Sequence, residues 1–284
     1  MLTRRSALFS AAGLLNALIW PFGYVVSHNH AYGSAPRQGL DIYTPSPSPH
    51  GGPRPVVFFI YGGSWEDGDK SIYRFVGAAL AAHGFVTVIA DYRIWPQVGF
   101  PVFLQDGAMA LRWVVDNIAR FGGDPASIQL VGHSAGAYNA AMLALDPPWL
   151  EQVGLDPRQT VRGFVGLAGP YDFLPLDTPT LKAIFGPPDQ LAQTQPINFV
   201  TAAAPPMWLA AGADDTTVNP GNTLRLTARA RAVGARAADK IYPGIDHRLL
   251  IGAFAAPLRP LAPVLRDTVA FLRIHAGNTA SATA

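Results

Sequence analysis

The sequence predicts an α/β fold: a mostly parallel central sheet with helices on both faces and a small cap. Short apolar runs of strand length alternate with longer amphipathic segments along the chain, an order that packs as a three-layer sandwich. Most of the runs lack a period of two, as strands covered on both faces do. Hydrophobic residues fill 49% of the 284 positions and charged residues 14%, which supplies apolar material for one sizeable core.

Residues 1–30 stand apart from the rest. Arg4 and Arg5 precede an uncharged stretch at 7–26 that contains Leu8, Phe9, Leu14, Leu15, Leu18, Ile19 and Trp20. A basic start followed by an apolar run is the outline of a secretory signal or a membrane anchor. Thr3-Arg4-Arg5-Ser6-Ala7-Leu8 also has the form of a degenerate twin-arginine export signal. The run is long enough to span a bilayer, which takes about 20 apolar residues. Ser27-His28-Asn29-His30-Ala31 is a poor cleavage site. Residues 1–30 are therefore read as a leader or anchor that takes the chain out of the cytoplasm. It would be periplasmic, or attached to the membrane through residues 7–26.

The folded domain is expected at 31–277. Residues 31–52 are rich in proline, glycine and serine and read as a linker, with Leu40-Asp41-Ile42-Tyr43 as a short edge strand. Strands are expected at 56–61, 85–90, 128–131, 163–167, 207–211 and 239–242. Helices are expected at 72–83, 102–121, 135–144, 222–233 and 261–275. In the second helix Leu104, Ala108, Leu111, Val115, Ile118 and Ala119 recur at helical spacing. The small-residue tail at 278–284 has no apolar anchor and is expected to be disordered.

Composition excludes several classes of function. The chain has no cysteine, so disulfides, thiolate catalysis and lipoprotein anchoring are ruled out. Its 21 basic residues form no run longer than Arg4-Arg5, and no concentrated basic surface for a nucleic acid is expected. The seven histidines show no metal-ligand spacing. No Gly-x-Gly-x-x-Gly follows the first strand, and no cofactor is expected.

The residues that carry chemistry begin with Gly132-His133-Ser134-Ala135-Gly136. This motif follows an apolar run and opens a small-residue helix, which is the context a nucleophile elbow needs. Ser134 is the candidate nucleophile, and His133 is the variable position of the elbow with no chemical role required. A serine hydroxyl needs a histidine to take its proton and an acid to orient that histidine. Of His247 and His275, which lie downstream, His247 sits in a turn between the last strand and the last helix and is the candidate base. His275 reads as a helix-terminal residue.

The acid is sought in Gly212-Ala213-Asp214-Asp215-Thr216-Thr217-Val218. Asp215 fits the Gly-x-x-Asp-x-x-Val pattern of such loops and is chosen. Asp214 is read as a turn-former accepting backbone hydrogen bonds, and Asp246 as a loop residue. Tyr61-Gly62-Gly63-Ser64-Trp65 follows the strongest strand. Acyl transfer needs N–H donors aimed at the developing oxyanion. Gly63 and Ser64 are expected to supply them, completed by the amide of Ala135, with Gly62 shaping the loop. Trp65 and Tyr171 are candidate substrate-binding residues, and Phe173 and Trp95 are further pocket aromatics. Asp91 and Arg93 read as a structural ion pair.

With these residues in view, the chain resembles the α/β-hydrolase carboxylesterases that carry a His-Gly-Gly-x-Trp oxyanion motif. These include hormone-sensitive-lipase-like esterases, acetyl and feruloyl esterase-like proteins, and kynurenine-formamidase-like enzymes. The resemblance spans residues 39–275 through Tyr61-Gly62-Gly63-Ser64-Trp65, Ala90-Asp91-Tyr92-Arg93, Phe121-Gly122-Gly123-Asp124-Pro125, the elbow, and Gly169-Pro170-Tyr171-Asp172-Phe173. It implies an α/β-hydrolase fold and a Ser-His-Asp acyl-enzyme mechanism acting on a small-molecule ester. The short, proline-rich connection at 168–206 would form a small cap, which favours short-to-medium acyl chains.

Tyr61 stands where most relatives have histidine. Backbone donors should survive that change, although the choice of leaving group could alter. An amidase or formamidase on the same scaffold would use the same triad. A catalytically silent binding protein of this fold would have a broken one.

Overall fold

Eight strands occupy Tyr24–Ala31 (β1), Gly39–Pro45 (β2), Arg54–Ile60 (β3), Val86–Ala90 (β4), Gly123–His133 (β5), Val161–Leu167 (β6), Met207–Gly212 (β7) and Ala237–Tyr242 (β8). These assignments come from a computed structural model that describes residues 23–46 and 52–277. The strands form one sheet in the order β1-β2-β4-β3-β5-β6-β7-β8. Only β2 runs against the common direction. The main helices are Arg74–Ala82 (α1), Val102–Asn117 (α2), Ala135–Leu145 (α3), Pro179–Phe185 (α4), Gly221–Ala232 (α5), His247–Gly252 (α6) and Val264–Ile274 (α7).

Each apolar run read from the sequence overlaps one of β3 to β8. The continuous burial of β4, and of Val56 through Ile60 in β3, explains why those runs do not alternate. Opposite faces of β5 meet different helices. Gly132 packs on the start of α3, whereas Gln129, three residues earlier, donates to the Leu272 carbonyl of α7. Helix α2 lies beside α3 through Gly107 and Leu143. The end of α1 meets α7 where Arg273 donates to the His83 carbonyl.

After β3 the chain builds β4 on one side, then returns to place β5 on the other side of β3. The carboxyl ends of β3 and β5 therefore flank the switch in winding direction, where open α/β sheets take their ligands. The segment between β6 and β7 holds α4 and two 3₁₀ turns, Pro188–Thr194 and Pro196–Phe199, and forms the small cap.

Three expectations require correction. The domain does not start at residue 31, because Tyr24–Ala31 pairs with β2 along its length. The proposed leader loses its last residues to this strand, and Ser27 to Ala31 lie within it. The earlier part of the apolar run, residues 7–22, lies outside the described residues, as does the tail at 278–284. Among the described residues no helix is long and apolar enough to cross a membrane.

The Leu40–Tyr43 segment is a strand, but β1 covers it, so β1 and not β2 forms the edge. A register shift between Ser27 and His30 lets the Asn29 amide and His28 Nδ1 meet the buried Asp41 carboxylate, at 2.8 and 2.9 Å. A kinked, polar strand of this kind is a common guard against edge-to-edge association.

Asp91 and Arg93 do not pair with each other. Arg93 binds Asp106 of α2, with Nη2 donating to Oδ1 at 2.7 Å and Nε donating to Oδ2 at 2.9 Å. Asp106 is fully buried and also accepts from the Arg93 amide and from Gln38 Nε2. Replacing Asp106 with alanine strands these donors, while Arg93 keeps part of its access to water. Asp106→Ala should therefore lower unfolding free energy by about 3 kcal/mol, toward the low end for a broken buried pair, as measured by urea denaturation.

Candidate active site

The elbow is shaped by close approach of backbones. A Cβ on Gly136 would stand 2.1 Å from the Ile60 carbonyl oxygen, and one on Gly132 would stand 2.3 Å from that of Gly136. Only hydrogen fits at either position, so α3 can start directly against the end of β3. Between the two glycines Ser134 takes φ 56° and ψ −126°, a strained conformation of the kind found where function demands it. Its amide donates to the Leu167 carbonyl at 2.9 Å, and its own carbonyl accepts from the amides of Ala137 and Tyr138.

His247 reaches Ser134 from the loop after β8. It is the first residue of α6, capped by Asp246, whose carboxylate accepts from the amides of Arg248 and Leu249. Asp246 is thus the helix cap and takes no part in the contact with Ser134. His247 Nε2 lies 2.9 Å from Ser134 Oγ, and Nδ1 lies 2.7 Å from Asp215 Oδ2. The other Asp215 oxygen accepts from the amides of Thr217 and Val218, each at 2.8 Å.

An ionised carboxylate can only accept, so Nδ1 donates to Asp215 and Nε2 is left to accept the serine proton. Burial pushes the Asp215 carboxyl up, but the His247 hydrogen bond and the two amides outweigh it and hold the group below its ordinary value. Asp214 is exposed, and the role of accepting backbone hydrogen bonds belongs to Asp215. His275 lies at the end of α7 against the Phe271 ring, away from Ser134.

The loop after β3 holds three successive positive φ angles: 146° at Gly63, 53° at Ser64 and 58° at Trp65. The Gly63 carbonyl accepts from the amides of Glu66 and Asp67 and closes this turn. Among the described residues the amides of Gly63, Ser64 and Ala135 donate to no protein group, so they are available to an incoming oxygen. Tyr61 braces the loop from behind. It is fully buried, donates to Asp91 Oδ1 at 2.8 Å and accepts from Arg37 Nη2 at 2.9 Å. Its ring stacks on Tyr92 and Tyr73. The Tyr61 side chain is not among the residues lining the cavity over Ser134.

A cavity of about 530 Å³ opens over Ser134. Trp65, Phe173, Leu174 and Leu181 give it an apolar wall, while Thr216 and Arg225 belong to a polar one. Trp65 is held by a hydrogen bond from Nε1 to Asn139 Oδ1 at 3.0 Å and stacks on Phe173. Tyr171, the other candidate for substrate contact, is wholly buried. Its ring fills space left by Gly166 and Gly169, where an added Cβ would come within 1.9 and 2.4 Å of it. Trp95 packs at the edge of the core and donates its amide to the Trp65 carbonyl.

Sequence reading missed Asn139 and Asn222. Asn139 was detectable as a polar residue inside an otherwise apolar helix. Asn222 accepts from the amides of Tyr171 and Asp172 and ties the cap to α5, but nothing in its sequence neighbourhood announces this.

Residues 40–229 match the BD-FAE family model. The chain belongs to the BD-FAE family. This BD-FAE member is 30% identical to isoprenylcysteine alpha-carbonyl methylesterase of Arabidopsis thaliana, over 90% of its own length and 63% of the relative's. It is also 30% identical to esterase LipC of Mycobacterium tuberculosis, over 82% of its length and 63% of the relative's. The chain thus spans just under two thirds of each of these relatives. Among solved structures it is similar to a truncated carbohydrate esterase from gut microbiota. The TM-score is 0.79 and the identity 23%, covering 90% of this chain and 98% of that one. The BD-FAE chain thus shares the α/β-hydrolase fold.

The depressed value at Asp215 has a consequence for acid stability. A carboxyl with a lower value in the folded than in the unfolded chain adds stability above about pH 4, its ordinary range, and loses it as pH falls through the folded value. Asp215→Asn cannot titrate, and its acid unfolding transition, followed by circular dichroism from about pH 6 to about pH 2, should be shallower than that of the wild type.

Proposed function

We propose that the chain is a serine carboxylesterase that hydrolyses short-to-medium acyl esters through an acyl-enzyme. The observation that carries this reading is the continuous hydrogen-bonded line from Ser134 through His247 to Asp215, at 2.9 and 2.7 Å, opening on the cavity. The esterase relatives agree with it.

In this mechanism Ser134 attacks the ester carbonyl while His247 takes its proton. The imidazolium that forms is stabilised by Asp215, which is already ionised and hydrogen-bonded. The amides of Gly63, Ser64 and Ala135 receive the oxyanion, and their fixed orientation spares reorganisation at the moment of reaction. His247 then gives its proton to the leaving alcohol. Water, activated by the same histidine, releases the acid. The apolar wall formed by Trp65, Phe173, Leu174 and Leu181 suits a short apolar arm of the substrate, and the cap limits its length.

Ser134→Ala should cut kcat by about 10⁶-fold while leaving the thermal transition in place, as loss of an activated nucleophile does. A fluorophosphonate should label the wild type and not this variant. A series of p-nitrophenyl esters, run beside N-formyl amides, should show turnover falling beyond medium acyl chains and ester exceeding amide. Turnover of the Ser134→Ala variant at the wild-type rate would end this proposal.

We also propose that the N-terminal segment directs export. Support comes from Arg4 and Arg5 ahead of the apolar run. The double change Arg4→Lys and Arg5→Lys should retain the protein in the cytoplasmic fraction of a bacterial host, whereas an unchanged distribution would remove the twin-arginine route.

A further inference from the structure

The residue before the nucleophile is a second buried imidazole. His133 ends β5, is 4% exposed, and its ring centroid lies 4.8 Å from that of His247. The two rings are tilted by 41° and do not stack. The polar contact runs to backbone: His133 Nε2 lies 3.1 Å from the carbonyl oxygen of His247. A carbonyl can only accept, so Nε2 carries the hydrogen and Nδ1 the lone pair. Nδ1 is buried with no hydrogen-bond partner among the described residues. It faces the β3 loop, where a Cβ added to Gly62 would stand 3.3 Å from it. One ring therefore touches the elbow, the loop beside the expected oxyanion donors, and the backbone of the general base.

We propose that His133 is a positioning residue for the reaction assigned to Ser134, holding the main chain of His247 so that Nε2 stays within reach of the serine hydroxyl. This role rests on the esterase reading of the site. His247 arrives from a loop 113 positions away in sequence from Ser134. That loop is tied by the Asp246 cap of α6 and by the Asp214 amide, which donates to the Ile245 carbonyl. The hydrogen bond from His133 adds a direct tie to β5, the strand that leads into Ser134 and pairs on both sides.

Burial, together with the adjacent His247, lowers the His133 value to about 3. The ring therefore remains a neutral donor over the working range and puts no second positive charge beside the imidazolium that forms at His247. A cost also accompanies the arrangement. Leaving Nδ1 unsatisfied in the core is unfavourable, and a plain apolar side chain would avoid it.

Three variants separate a donor from a filler. His133→Leu fills the space without donating. His133→Gln can place its amide nitrogen about as far from Cβ as Nε2 stands. His133→Asn keeps polarity but falls short of the carbonyl. Relative to wild type, the Leu and Asn variants should lose about ten-fold in kcat with KM changed less than about two-fold, because small displacements of a catalytic group act on the chemical step. Their fluorophosphonate labelling should slow by a similar factor. His133→Gln should stay within about three-fold of wild type in both measurements.

Thermal melts run in parallel identify any variant that does not fold, and the Asn and Gln pair carries the comparison if the Leu variant fails. Equal kcat among the folded variants, with labelling intact, would overturn the positioning role alone. Absence of labelling and turnover in the wild type would overturn the esterase reading and this role with it.

Discussion

Helix α3 begins so close to the end of β3 that no side chain fits between them, and the geometry of the site follows from that contact. Gly136 lies against the Ile60 and Tyr61 carbonyls, and Gly132 against the helix that follows it. The chain must turn from strand to helix in a single residue, which puts Ser134 at φ 56° and lifts its hydroxyl clear of the sheet. A looser junction would relax the serine into an ordinary strand or helix conformation and withdraw the hydroxyl. The strain is tolerated because the end of β5 and the whole of α3 are buried on either side. β5 pairs with β3 and β6, and the Ser134 amide itself is tied to Leu167.

Sheet register then brings distant residues into range of this fixed point. Ile60 pairs with Gly132, His133 with Leu167, Leu167 with Ala210, and Gly212 with Tyr242. The carboxyl ends of β3, β5, β6, β7 and β8 therefore lie along one rim. Loops leaving that rim supply the turn at Gly63, the serine, Asp215 and His247. The two hydrogen bonds that join Ser134, His247 and Asp215 span 113 and 32 positions of sequence. Asp215 is held by its own turn as well, which donates two amides to its other oxygen.

Much of this was legible without coordinates because the signals were local. Glycines around Ser134 encode the elbow, and uninterrupted apolar runs encode strands buried on both faces. The spacing from Gly212 to Val218 encodes the turn that points Asp215 at His247. What escaped the sequence depends on contacts between distant segments. β1 reads Tyr-Val-Val followed by Ser-His-Asn-His, which looks like the end of an apolar run followed by a polar link. It is a strand because Asp41 and the exposed flank of β2 accept it. Arg93 was read with Asp91, its neighbour in sequence, whereas the backbone turns it toward α2 and Asp106. Tyr171 sits beside the cap and looked like a pocket residue, but two glycines leave a slot in the core that its ring fills.

The cap is fastened to α5 in two chemically different ways. Arg225 clasps the Asp172 carboxylate and carbonyl at the surface, with its side chain 48% exposed. Beneath it, the buried Asn222 receives two backbone amides through one neutral oxygen. Dissolved ions weaken an exposed charge pair and leave a buried neutral contact nearly untouched. The roof over the serine is therefore insulated from changes in ionic strength, and the shape of the cavity should persist from dilute to salty surroundings even when its outer clasp has opened.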